Sequence, residues 1–188
     1  MKKLVAGAVV LICIGVVSMA EESIQLPVSF NADGTVNRPL NHRQWVNVGT
    51  TLIPQGEINT IDDLPISTSE YIDTYVEPMA FAIYMATGTW PNGTQIVKEF
   101  TATKPAEASE VLTESHYNGL AMLVKEVQRF PAETGHLGCF NFGHHPEPYE
   151  TTSKVLPREQ CSACHETLAS EQQYIFADHH IGLRRKKN

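Results

Sequence analysis

Apolar and polar positions alternate along this chain with a period of two in several short runs, and that pattern predicts β-strands there. Tyr71 to Val76 is one strand candidate. Thr94-Gln95-Ile96-Val97-Lys98-Glu99-Phe100 alternates after the turn signal Trp90-Pro91-Asn92-Gly93. Leu120 to Val127 and Leu137 to Phe142 are denser apolar runs of strand length. Helical spacing appears at Pro78 to Thr87, with Pro78 in the first turn, Met79, Ile83 and Ala86 on one face, and Gly88 as a stop. Asn41 through Val48 reads as a short helix start that turns Trp45 and Val48 inward, and Ser162 to Phe176 holds good helix formers. Residues 21–40 carry turn punctuation, and Lys104 to Glu110 is a polar loop. There is no internal repeat.

The N-terminus changes the picture first. Met1-Lys2-Lys3, the apolar run from Leu4 to Val17 and the small residues of Ser18-Met19-Ala20 read as a secretory leader over residues 1–20, with cleavage expected after Ala20. The run is shorter than the roughly 20 residues that span a bilayer, and no later segment of the sequence is apolar enough to do so. Cys13 is a poor lipid-attachment site because Ile12 precedes it. One domain is expected over residues 21–188, in an exported, periplasmic protein. Losing Lys2 and Lys3 takes the net charge from −7 to −9, which disfavours nucleic acid as a partner. The basic tail Arg184-Arg185-Lys186-Lys187 is most simply a solvated terminus.

The chemistry lies near the other end. Cys161-Ser162-Ala163-Cys164-His165 is a Cys-x-x-Cys-His pentapeptide, the signature of covalent c-type haem attachment. Its thiols add to the porphyrin vinyl groups and its imidazole ligates the iron. A structural zinc site would call for a second cluster of ligands, and no other Cys-x-x-Cys exists. A thioredoxin-like pair would need no adjacent histidine. Export agrees with haem, because in bacteria the attachment takes place outside the cytoplasm. With Cys161 and Cys164 given to haem and Cys13 lost with the leader, Cys139 is left as an odd thiol. This excludes a disulfide framework and suggests a small buried hydrophobe.

Small all-helical electron-transfer cytochromes carry this motif early and take a methionine further on as sixth ligand. Here no methionine follows His165. His179 and His180 are the alternative, and they read as surface residues beyond the last helix; His144-His145 could form a loop wall. A five-coordinate iron is the expectation. On a period-two strand, Lys98 shares a face with Ile96 and Phe100, opposite Gln95, Val97 and Glu99. If its face is the buried one, the amine is desolvated and nucleophilic; if the strand is an edge, the lysine reaches water.

Several stretches together resemble the cytochrome P-460 family, small periplasmic haem c proteins related to the beta-type cytochromes c-prime. They are Asn41-His42-Arg43-Gln44-Trp45-Val46-Asn47-Val48-Gly49-Thr50, Tyr75-Val76-Glu77-Pro78, Thr87-Gly88 with Asn92-Gly93-Thr94, Val97-Lys98-Glu99, Gly119-Leu120 with Val124-Lys125, Arg129-Phe130 and the haem motif. The resemblance implies an α+β fold, a mostly antiparallel sheet with flanking helices, and one haem c at the C-terminal helix. It implies a homodimer, with Cys161 and Cys164 attaching the haem and His165 as metal ligand. Lys98 would be a catalytic, cofactor-binding residue, since hydroxylamine-oxidising relatives bond a lysine here to a porphyrin meso carbon. The substrate would be hydroxylamine or nitric oxide, and the electron acceptor a soluble protein such as another cytochrome c. Two positions depart: Ala121 aligns with a carboxylate of those relatives, and Ile72 or Asp73 with an arginine. The alternative is a nitric oxide-binding or nitric oxide-sensing protein without turnover.

Overall fold

The computed structural model describes residues 24–59 and 64–185. The leader expected over residues 1–20 lies outside the described residues. The elements run β1 (Val36–Asn37), β2 (Val46–Ile53), β3 (Glu70–Val76), α1 (Pro78–Thr87), β4 (Gln95–Pro105), β5 (Leu112–Lys125), β6 (Leu137–Asn141), β7 (Thr152–Ser153) and α2 (Ser162–Ala169), with short 3-10 turns between and after them. The fold is α+β. Five strands form an antiparallel sheet in the order β2-β3-β4-β5-β6, so each strand pairs with its neighbour in sequence; β1 and β7 make a separate two-stranded ribbon.

Both sheet faces are covered, and this explains the mixed pattern of the strands. On β4, the central strand, Ile96 and Phe100 are buried on one face and Val97, Glu99 and Thr101 on the other. Val97, Met122, Phe140 and Tyr149 belong to one core. Val76, Ile96, Tyr84, Trp90, Ile175 and Leu183 belong to the other, which is closed by α1 and the C-terminal segment. Each large side chain so buried contributes about 1.5–3 kcal/mol.

α1 has the limits read from the sequence. The Glu77 carboxylate accepts from the Ala80 N–H at 2.8 Å, Pro78 follows it, and Gly88 ends the helix at φ +82°. Its inward face is Ala80 and Tyr84 rather than Met79, which is 55% exposed, because Tyr84 stacks on Trp90 at 3.9 Å and that pair sets the helix rotation.

Three boundaries differ from expectation. The helix start at 41–48 is a single 3-10 turn, His42–Gln44, and β2 begins at Val46; Trp45 and Val48 pack into different cores. β5 starts at Leu112, not Leu120, and β4 runs on to Pro105 through part of the polar loop. Bulges interrupt their outer halves, where β4 is buried at Thr101, Ala102 and Thr103 while β5 over 112–118 is half-buried to exposed, so neither shows an alternation. α2 stops at Ala169 instead of continuing to Phe176. A 3-10 turn, Ser170–Gln172, follows, and Gln173 and Tyr174 both take positive φ, at +57° and +64°.

Candidate functional site

That reversal after α2 positions the first candidate. Gln173 pins it to the end of α1: its Oε1 accepts from the Trp90 N–H at 3.1 Å and its Nε2 donates to the Gly88 carbonyl at 2.6 Å. The Tyr174 carbonyl is thereby set 2.7 Å from His165 Nδ1. A carbonyl only accepts, so Nδ1 carries the proton, and in the neutral ring Nε2 keeps its lone pair for a metal. Burial lowers the His165 pKa, outweighing the Tyr174 carbonyl, and the Lys98 charge lowers it further. The ring of Phe176 lies against the imidazole at 4.9 Å. His165 is thus held as an oriented imidazole that could serve as a ligand.

Lys98 lies on the same side of the sheet. Cross-strand register places Thr74 and Ala121 on either side of it, with Gly49 beyond Thr74 and Asn141 beyond Ala121. It shares the face of Ile96 and Phe100, the face that α1 and the C-terminal segment cover, so the edge-strand alternative does not apply. Yet the Lys98 side chain remains accessible between buried neighbours. An accessible side chain at the centre of a covered face lines a recess rather than the outer surface. Its amine pKa is lowered by burial, with Cys164 opposing the shift, and no hydrogen bond to the amine comes from a described residue. The Thr74 hydroxyl beside it is buried without a partner among the described residues.

His180 completes this row, contrary to its reading as a surface residue. It is 9% exposed and packs on Gly49, where a Cβ would lie 3.4 Å from its Nδ1. Burial, then the charges of Lys98 and His179, push its pKa down to about 4. His179 is 65% exposed, as expected. Sequence doublets do not say which member turns inward; the 3-10 turn Ala177–His179 decides it here.

Two buried carboxylates were not legible as site features. Glu99 is on the face opposite Lys98, as its register position predicts. It accepts from Arg43 Nε and Nη2 and lies 3.3 Å from His42, while Arg43 also bonds Glu147 at 2.8 Å and stacks over Tyr117 at 3.8 Å. Glu70, 1% exposed, is on the Lys98 face and lies 3.1 Å from His144 Nε2. The His144 ring packs on Phe100 and occupies the space over Gly119, where a Cβ would come within 2.9 Å of it. Glu70 and His144 are 74 residues apart, so no local pattern could have paired them.

Cys164 is a free thiol, but Cys161 is not: its sulfur is bonded to Cys139. This corrects the expectation of an unpaired Cys139 and of no disulfide. The physical reason is that β6 and the start of α2 are neighbours, with Cα atoms 6.3 Å apart. A c-type haem therefore fits the donors Cys164 and His165 directly and fits Cys161 once that bond is open. Among the described residues no three His, Cys, Asp or Glu side chains gather to hold a metal ion, so an iron at His165 would need a porphyrin to supply its other donors.

No curated protein matches the chain. The model of one family, Cytochrome P460, matches residues 39–177, a span from the turn before Trp45 through the haem motif to the reversal that orients His165. The chain belongs to the Cytochrome P460 family of haem proteins.

Proposed function

We propose that this is an exported, periplasmic mono-haem c protein that oxidises hydroxylamine, with nitric oxide as a second substrate, and passes electrons to a soluble acceptor such as another cytochrome c. Cys161 and Cys164 would anchor the haem, His165 would ligate its iron, and Lys98 would bond to the macrocycle. The bound haem would supply a redox-active iron with one face for a small nitrogenous ligand. The observation that carries this reading is the placement of Lys98 on the covered face of the central strand, between Thr74 and Ala121, its amine free of hydrogen bonds from described residues and electrostatically felt by His165. Burial favours the uncharged amine, which is the nucleophilic form.

Peptide mapping of the matured protein should find Lys98 joined to the porphyrin, one lysine N–H and the meso C–H having been lost together to a two-electron oxidant of the peroxide class. Lys98→Met should restore an ordinary haem c absorption spectrum and abolish hydroxylamine-dependent reduction of an acceptor dye. An unmodified lysine in a fully matured sample would refute this role. Homodimer formation, also part of the proposal, is read by light scattering.

A second reading is favoured by one observation. Ala121 stands directly opposite Lys98 and offers no group to accept the protons that leave hydroxylamine with its electrons. A five-coordinate haem protein that binds or senses nitric oxide without turnover would have that arrangement. Steady dye reduction by hydroxylamine, lost in Lys98→Met, decides against it.

A further inference from the structure

We propose that Cys139 is a third thiol of the haem-attachment site, which closes a disulfide with Cys161 in the haem-free chain and so makes covalent attachment at Cys161 conditional on a thiol reductant. This rests on the reading of Cys161 and Cys164 as the attachment cysteines.

The fold, rather than chance proximity, brings the two sulfurs together. After β7 the chain returns along β6: Val155 bridges Phe140 in antiparallel fashion, and the Leu156 N–H donates to the carbonyl of Cys139 itself at 2.8 Å. Pro157 and the 3-10 turn Arg158–Gln160 then lead directly to Cys161. An ion pair from Arg158 to Glu166, at 2.5 Å, holds that turn to α2. Cys139 stands opposite Leu123 on the sheet face that carries Lys98 and is 7% exposed, so its sulfur is directed at the attachment site and shielded from bulk solvent. The Cα separation of 6.3 Å is within the range a disulfide spans. Cys164, one helical turn further on, is exposed and unpaired.

The consequence is a fixed order of events in an oxidising compartment. A dithiol reductant gives two electrons and two protons to the Cys139–Cys161 bond, leaving two thiols and becoming a disulfide itself. The Cys161 S–H can then add across a porphyrin vinyl group, sulfur to one carbon and hydrogen to the other, with no net redox change. Until that reduction, Cys164 is the single thiol free to react. Cys139 has no bond to form once Cys161 is taken, and it stays buried beside the attached group.

The test uses the chain from Glu21 to Asn188, secreted without haem and alkylated before any reduction. The expected result is one alkylated cysteine, Cys164, and a peptide linking Cys139 to Cys161. Three alkylated cysteines, or a link between Cys161 and Cys164, would overturn the proposal. A second arm measures covalent haem in cells with and without a periplasmic dithiol reductant. The parent chain should lose most of its haem without the reductant, while Cys139→Ser, or Cys139→Ala if the serine variant folds poorly, should keep it. Equal dependence of parent and variants also overturns it. Absence of covalent haem from the parent even with reductant would count against the attachment reading instead, and the peptide map would still decide the disulfide.

Discussion

Gln173→Ala removes the two bonds that hold the reversal behind His165 to the end of α1. Each side-chain-to-main-chain bond of this kind contributes about 0.5–1.5 kcal/mol net, and stranding a buried donor such as the Trp90 N–H costs about 1–3 kcal/mol. A loss of roughly 2–4 kcal/mol is therefore expected in urea unfolding followed by fluorescence of the Trp90 environment. Gln173→Glu keeps an acceptor for the Trp90 N–H but loses the donor to the Gly88 carbonyl, so its loss should be about half as large. The same substitutions test the orientation of the ligand. As the Tyr174 carbonyl is released from its place 2.7 Å from Nδ1, the His165 Nδ1 proton should exchange faster with solvent in Gln173→Ala than in Gln173→Glu. A Gln173→Ala protein within about 0.5 kcal/mol of the parent, with an unchanged Nδ1 proton signal, would refute the claim that this side chain aims the imidazole.

Glu99→Gln should destabilise the protein by roughly 1–3 kcal/mol, less than a fully buried pair because Arg43 is 39% exposed, while leaving the proposed modification of Lys98, on the other face, unaffected. Although burial raises the Glu99 pKa, the nearby His42 ring and the bonds from Arg43 outweigh it and hold the carboxyl below its ordinary value. The contribution is thus present at neutral pH and lost as pH falls through that lowered pKa, so the acid unfolding limb of Glu99→Gln should be shallower there. His180 acts in a different window: the unfolded chain takes its proton near the ordinary value of 6.5, the folded chain only at about 4. Stability should fall as pH drops between those values, and His180→Asn should remove that part of the slope in a urea-midpoint series. In the haem-loaded protein His180→Asn should leave the reduced spectrum and its carbon monoxide shift unchanged; loss of a low-spin signal would make His180 an axial ligand and refute five-coordination.

The parts of this fold that were legible in the sequence are those whose determinants are local. Pro78 and Gly88 bound α1 because the first turn tolerates a missing N–H and the cap needs positive φ, and both requirements are met within the segment itself. The haem motif is likewise contiguous. What was hidden depends on distant partners. The rotation of α1 is set by Trp90, the early end of α2 by the anchoring of Gln173 on Gly88 and Trp90, and the outer β4–β5 hairpin by a bulged pairing in which Thr101, Ala102 and Thr103 are buried and their β5 partners are not. Cys139 illustrates the limit best. Cysteine counting paired the two motif thiols through haem and left one over, whereas pairing depends on where β6 passes the start of α2.

The late position of the haem motif also has a structural reason. A motif at the start of a chain must wait for later residues to build its pocket; here the wall comes first, as a meander whose central strand carries Lys98 to the middle of the covered face. The short segment after His165 then performs two tasks that need no further element. It returns through Gln173 and Tyr174 to fix the tautomer and direction of the imidazole, and it continues to His180, which closes over Gly49 at the far end of the Lys98 row. Amine and imidazole are thereby positioned by separate parts of the chain, the first by strand register and the second by a side-chain-anchored turn. Substitutions on β4 should alter the surroundings of the Lys98 amine with the orientation of His165 intact, and substitutions at Gln173 should do the reverse.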